Sequence, residues 1–131
     1  MLRLLHKARR LVAAALAESG LPVQHVDATK LILTDEQFTS ARPREWETYA
    51  RIRWTLPLAA RTHVVVLGGF IGATEDGRTT TLGRGGSDLT ASLVGAAVNA
   101  EEIQVWKDVD GMLTWDPPHK ARRLSSEGSV L

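Results

Sequence analysis

A valine-rich run, Val64-Val65-Val66-Leu67, leads through a hairpin signal into Thr81-Leu82-Gly83-Arg84-Gly85-Gly86-Ser87-Asp88, and an alanine-rich helical pattern then runs from Leu89 to Ala100. Strand, glycine loop and helix in that order confine this stretch to a layered α/β architecture. The loop also has a chemical use. Glycines let backbone approach a ligand without Cβ interference, and the first amides of the helix point outward beside the positive end of its dipole. An anion, a phosphate above all, is the expected guest. Arg84 adds a planar fork suited to carboxylate or phosphate, and Asp88 a negative charge that can hold an ammonium group. The bland alternative is a tight turn followed by an ordinary N-cap at Ser87 and Asp88.

Composition narrows the partners. With 44% hydrophobic and 24% charged residues among 131, the chain reads as about one soluble globular domain. A net charge of +1 gives no electrostatic case for nucleic acid or membrane as the main partner. Cysteine is absent, which excludes disulfides, thiolate catalysis and Cys-ligated zinc, and a cytoplasmic location is the expectation, with a plastid as the alternative for a plant source. No apolar run approaches the roughly 20 residues of a membrane span. Met1 to Ala17 is basic and then apolar like a leader, but the pattern continues through Glu18 and Ser19 without a cleavage site, so a helix is expected.

Taken in order, Leu2 to Ser19 predicts a helix whose apolar face is Leu4, Leu5, Ala8, Leu11, Val12, Ala15 and Leu16, stopped by Gly20. Arg3, Lys7, Arg9 and Arg10 read as its solvated face or as a basic phosphate patch. Leu21 to Val26 and Lys30 to Leu33 are expected to be extended, and Thr34 to Arg42 a loop. Pro43 opens a second helix with Trp46, Ala50 and Trp54 in one row, read as core or interface ahead of base stacking, and Pro57 should kink or end it. Thr62 to Leu67 predicts a parallel strand covered on both faces. Asp76-Gly77 marks a hairpin that sets Gly69–Gly72 beside Leu82–Gly85 as one wall of a pocket. The small residues of the next helix permit close packing on a sheet, and Glu102 to Trp106 predicts another strand. A polar loop from Lys107 to Pro117 follows, at the carboxyl end of that strand, where open α/β sheets bind ligands. His6, His25, His63 and His119 are too dispersed for a metal site or triad. The predicted fold class is α/β, an αβα sandwich around a mostly parallel sheet, incomplete, with four main strands and one hairpin.

Gly69-Phe70-Ile71-Gly72, the string from Gly77 through Thr79-Thr80-Thr81-Leu82-Gly83-Arg84-Gly85-Gly86-Ser87-Asp88, then Trp106-Lys107-Asp108-Val109-Asp110-Gly111 and Asp116-Pro117 resemble the aspartate kinases of the amino-acid kinase superfamily. The match is close from Val64 to Pro117 and looser from Leu11 to Arg61. The resemblance implies ATP-dependent phosphorylation of the β-carboxylate of L-aspartate, the first step toward lysine, threonine and methionine, with Mg²⁺ held mainly by the nucleotide phosphates. It implies that Arg84 binds the α-carboxylate of aspartate, that Asp88 is the catalytic candidate and contacts the amino group or organises the loop, and that Gly85, Gly86 and Ser87 add backbone and hydroxyl contacts. Lys107 and Asp108 would belong to the nucleotide site, with Met112, Leu113 and Pro118 near adenine or ribose. The implied domain is a partial amino-acid kinase domain over 1–131, with 64–118 its ligand-binding core and 119–131 a tail. The family's Lys-Phe-Gly-Gly-Thr-Ser loop, the Gly-Glu pair of its first helix, its later nucleotide-site lysine and its regulatory ACT domains do not occur in this sequence. Little activity is therefore expected of the chain alone, and a homo-oligomer is implied for an intact enzyme. The competing expectations are an acetylglutamate, glutamate or nucleotide kinase of the same superfamily, or a truncated nucleotide-binding relative without catalysis.

Overall fold

The structure is a computed structural model that describes residues 2–107, with side chains from Lys7 onward. The chain divides into two compact units, Met1–Ala100 and Glu101–Leu131.

In the first unit, α1 (Leu2–Glu18) ends where Gly20 takes a φ of 85° and Leu21 donates back to the Leu16 carbonyl at 3.3 Å. This closes the free carbonyls of the last turn. Of the expected apolar face, Ala8, Leu11, Val12 and Ala15 are exposed and Leu16 is half-buried, on one side with Ala13 and with Arg9, which is only 6% exposed; the side chains of Leu4 and Leu5 lie outside the described ones. β1 (Val23–Val26) pairs in parallel with β2 (Val64–Leu67), Val23 opposite Val64 and Val26 opposite Leu67. β2 is half-buried, with Val64 exposed, rather than covered throughout.

The extended piece expected over Lys30–Leu33 is instead a 3-10 turn at Ala28–Lys30, because the Asp27 carboxylate accepts the Thr29 N–H at 3.1 Å and holds the chain tight. Only Leu33 and Thr34 make single bridges, to Ala73 and Pro43. Leu31, Ile32, Leu33 and Thr34 are nevertheless the buried centre of the unit. They are bonded from outside, by backbone and by side chain: the Thr48 hydroxyl accepts the Leu33 N–H at 3.1 Å, and the Thr34 and Thr80 hydroxyls share a 2.8 Å bond.

α2 (Glu45–Ala60) buries Thr48, Ile52 and Leu56 and leaves Trp46 82% and Trp54 85% exposed, so the tryptophan row is not core. Pro57 does not end the helix. It lies on the exposed side, where the carbonyl it leaves unbonded faces water while Ile52 and Leu56 anchor the other side. The hairpin forms as expected, β3 (Ile71–Ala73) antiparallel to β4 (Thr79–Thr81), with Gly77 at a φ of 84° in the turn. Gly72 permits its docking, since a Cβ there would lie 2.7 Å from the Ile32 carbonyl oxygen. α3 (Gly86–Val98) packs against α2 rather than on a sheet, with Leu93 and Ala97 in the shared core and Arg53 Nε donating to the Ala97 carbonyl at 2.9 Å.

The described sheet is therefore one parallel pair, with the hairpin as a separate antiparallel pair. In the second unit, Glu102–Trp106 is not a strand: no described strand pairs with it, and without a partner edge extended backbone has no ladder to join. No described helix is long and apolar enough to cross a membrane.

Candidate functional site

The glycine loop stands at the junction of β4, the end of β2 and α3. β4 delivers Leu82, whose N–H donates to the Phe70 carbonyl at 2.9 Å, so the two limbs of the hairpin stay together beyond their last ladder pair. Gly83 at a φ of 76° and Gly85 at 74° then turn the chain into α3. Gly85 is the N-cap in the left-handed region, where a side chain is strained, and no side chain caps the helix. The Gly86 N–H donates to the Gly83 carbonyl at 3.1 Å and the Leu89 N–H to the Gly85 carbonyl at 3.0 Å, so backbone closes the start of the helix.

There Gly86 is buried, its missing Cβ filled to 2.8 Å by Leu82 and 3.1 Å by Phe70. Thr90, 2% exposed, ties the floor together: its hydroxyl donates to the Gly86 carbonyl at 2.7 Å and accepts the Phe70 N–H at 3.2 Å. Phe70 is thereby held at a φ of 74°, a conformation that costs a bulky residue on the order of 1 kcal/mol. On the other side, a Cβ at Gly69 would lie 3.0 Å from Ser87 Cα, so the loop after β2 touches the start of α3. The carboxyl end of a parallel strand and a helix N-terminus thus meet.

On this floor Arg84, Gly85, Ser87 and Asp88 are exposed and Gly86 is buried. Arg84 makes no ion pair among the described residues, and Asp88 sits in the first turn of α3, where the helix dipole favours a carboxylate. The five predicted substrate-side residues are thus brought together. Lys107 is exposed in the second unit. Asp108, Met112, Leu113 and Pro118 lie outside the described residues.

Sequence reasoning missed Arg9. Read as solvated, it is buried, 3.5 Å from the Asp27 carboxylate, and a Cβ at Gly68 would stand 3.0 Å from its Cδ. A cation is therefore built in beside the loop that follows β2. Arginines at helical spacing carry no signal for this; only the contact with Asp27 and Gly68 reveals it.

A cleft of about 550 Å³ opens at the turn end of the hairpin, lined by Thr34, Asp35, Glu36, Arg44, Thr74, Glu75 and Asp76. None of the predicted site residues lines it. Its charges are mutually satisfied: Arg44 pairs with Glu75 at 3.1 Å and with Glu47, and Arg78 pairs with Asp76 at 2.6 Å and Glu36 at 3.2 Å. The Thr74 hydroxyl, then Arg78, hold the Asp76 carboxyl below its ordinary range, and the hydrogen bond to Glu75 raises Arg44 above its own. These features belong to a brace, not a ligand site.

A family model described as the amino acid kinase family matches residues 4–127. Among curated proteins, the chain is 40% identical over 97 residues to the aspartokinase of Chlamydia trachomatis, covering 74% of this chain and 22% of that protein. It is 44% identical over 108 residues to the aspartate kinase of Pseudomonas fluorescens, covering 82% of this chain and 25% of the relative. Among solved structures, aspartokinase III of Escherichia coli in complex with aspartate and ADP superposes with a TM-score of 0.83 at 36% identity, over 88% of this chain and 26% of that one. The chain spans about a quarter of the length of the relatives it matches.

Proposed function

This chain belongs to the amino acid kinase family, and on that premise we propose that it carries the amino-acid-binding half of an aspartate kinase, which moves the γ-phosphoryl group of ATP onto the β-carboxylate of L-aspartate. What supports the reading most is the placement of Arg84 and Asp88, both exposed on either side of the Gly85-Gly86 turn where α3 begins. A cation and an anion four residues apart fit the two charges of a free amino acid, with Arg84 forked onto the α-carboxylate and Asp88 on the ammonium group. The substrate's own side chain is then left to react.

An ionised β-carboxylate needs no base. One of its oxygens attacks the γ-phosphorus while the bond from that phosphorus to the bridging oxygen breaks, giving an acyl phosphate and ADP. Such a transfer depends on in-line positioning and on donors around the moving oxygens more than on a covalent catalyst. Ser87, exposed at the start of α3, is suited to that task. Asp88 accordingly acts by holding substrate, not by taking a proton. Lys107 and Asp108, with Met112, Leu113 and Pro118, are proposed for the nucleotide. Mg²⁺ would supply charge neutralisation on the nucleotide phosphates that hold it. The assigned domain is a partial kinase domain whose ligand core is 64–118.

Calorimetric titration of the 131-residue chain with L-aspartate tests this. Weak binding is expected, reduced about tenfold or more by Arg84→Ala, as loss of a bidentate charged contact requires. N-acetyl-L-aspartate, which lacks the ammonium charge, should not bind. Heat with ADP but none with aspartate would overturn the reading in favour of a nucleotide-binding relative. Turnover of ATP with aspartate should fall at least roughly 10²-fold short of an intact aspartate kinase, because this sequence has no Lys-Phe-Gly-Gly-Thr-Ser string.

A further inference from the structure

The segment from Asp35 to Arg42 is fixed along the edge of β4 that β3 leaves open. Thr81 bonds to it three times: its N–H donates to the Phe38 carbonyl at 2.8 Å, its hydroxyl to the same carbonyl at 2.9 Å, and its carbonyl accepts the Ala41 N–H at 2.9 Å. One Asp35 carboxylate oxygen closes the base of the loop, accepting the Gln37 N–H at 3.1 Å and the Arg42 N–H at 3.0 Å. The Arg78 guanidinium holds the near limb, 4.9 Å over the Phe38 ring and 3.2 Å from the Glu36 carboxylate. A loop pinned at its base and along its length presents its tip in one orientation.

That tip is Ser40, and it stands over Gly83. A Cβ at Gly83 would lie 3.3 Å from Ser40 Oγ and 3.5 Å from its Cα, so the bare backbone of Gly83 is what leaves room for the serine. Arg84 is the next residue in the chain. The Ser40 N–H is committed to the Gln37 carbonyl at 2.9 Å, whereas its hydroxyl makes no hydrogen bond among the described residues, and the residue is exposed.

We propose that Ser40 is a further amino-acid-binding residue, its hydroxyl donating to the same ligand carboxylate that Arg84 holds. The assignment rests on the reading of Arg84 to Asp88 as the amino-acid site. A carboxylate offers about four acceptor positions on its two oxygens, and a guanidinium fork fills two of them. A hydroxyl from the far side of the glycine loop fills a third without adding charge. Both groups are carried by β4, Arg84 through the chain and Ser40 through the bonds to Thr81, so their spacing is set before the ligand arrives.

Calorimetric titration of the full 131-residue chain with L-aspartate tests it, with urea unfolding run on each variant. Ser40→Ala should weaken binding about fivefold or more, and Ser40→Thr, which keeps the hydroxyl, should restore affinity to within about twofold. Neither should move the unfolding midpoint, because the side chain is exposed and makes no bond among the described residues. Ser40→Asp should weaken binding further than alanine does, since its carboxylate repels that of the ligand and competes for Arg84. Unchanged affinity in Ser40→Ala, alongside a loss in Arg84→Ala, would overturn this assignment and leave the amino-acid site standing. A loss that threonine does not restore, or that comes with a lowered midpoint, would overturn it as well, being the mark of a residue that only holds the loop. No heat with aspartate from the unaltered chain would remove the site itself, and the role of Ser40 with it.

Discussion

Thr90 and Phe70 show how much of the site's shape rests on single hydrogen bonds. The Thr90 hydroxyl is the partner of the Phe70 N–H, and Phe70 sits in the left-handed region only because both its backbone groups and its ring are held. Thr90→Val keeps the volume and strands that N–H, so a loss of about 1–3 kcal/mol in urea unfolding is expected. Aspartate binding should weaken in parallel, since Arg84 turns on the same floor. Gly86→Ala places a Cβ 2.8 Å from that of Leu82. Overpacking of this kind costs on the order of 1–3 kcal/mol, read as a lowered midpoint. At this scale the sequence was informative where chemistry is local. Arg84 to Asp88 are legible as a candidate anion site because glycine, a cation and a helix start are adjacent in the chain. Arg9 announces nothing, because its burial depends on Asp27 and Gly68, which only folding brings to it.

Among the elements, α2 separates what periodicity can read from what it cannot. Its start was legible from Pro43, but its end was not, since it runs through Pro57 to Ala60, and two apolar rows compete on it. Ile52 and Leu56 are buried because they share a core with Leu93 and Ala97 of α3, and Thr48 because it bonds Leu33, while the larger tryptophans are left outside. Size does not decide burial; the neighbouring element does. Ile52→Ala should therefore cost about 2–5 kcal/mol. Pro57→Ala should instead raise stability by about 1 kcal/mol, because it restores a helical N–H that proline lacks. A fall in the denaturation midpoint of Pro57→Ala would mean the ring itself packs. The hairpin carries a pH signature of its own. Asp76 is held below the ordinary carboxylate range by Thr74 first and Arg78 second. Its stabilisation is thus fully present above that range and is lost as pH falls through the ordinary value toward the lowered one. The urea midpoint of Asp76→Asn should accordingly depend less on pH on the acid side than that of the unaltered chain. The hairpin itself was legible from Asp76-Gly77, whereas the expected strand at Glu102–Trp106 was not formed, because β propensity without a paired edge specifies nothing.

For the whole molecule, the chain spans about a quarter of its relatives, and the proposed chemistry is divided accordingly. The residues proposed for the amino acid, Arg84 to Asp88, lie within Met1–Ala100, and those proposed for the nucleotide begin at Lys107 in Glu101–Leu131. If the first unit folds on its own contacts, substitutions at Lys107 should leave aspartate affinity unchanged while Arg84→Ala lowers it about tenfold or more, a contrast that calorimetry on the two variants reads directly. Taken alone, the sequence determined the α/β class, the hairpin, the start of α3 and the family, because each is written in neighbouring residues whose backbone preferences and charges act over a few positions. The tertiary structure alone decided which face of α2 is buried, that Arg9 is an interior cation, and that a tight turn at Ala28–Lys30 leads into Leu33 and Thr34, braced by Thr48 and Thr80. Those outcomes depend on residues far apart in the chain competing for the same space and the same hydrogen bonds, and local preference has no term for that competition.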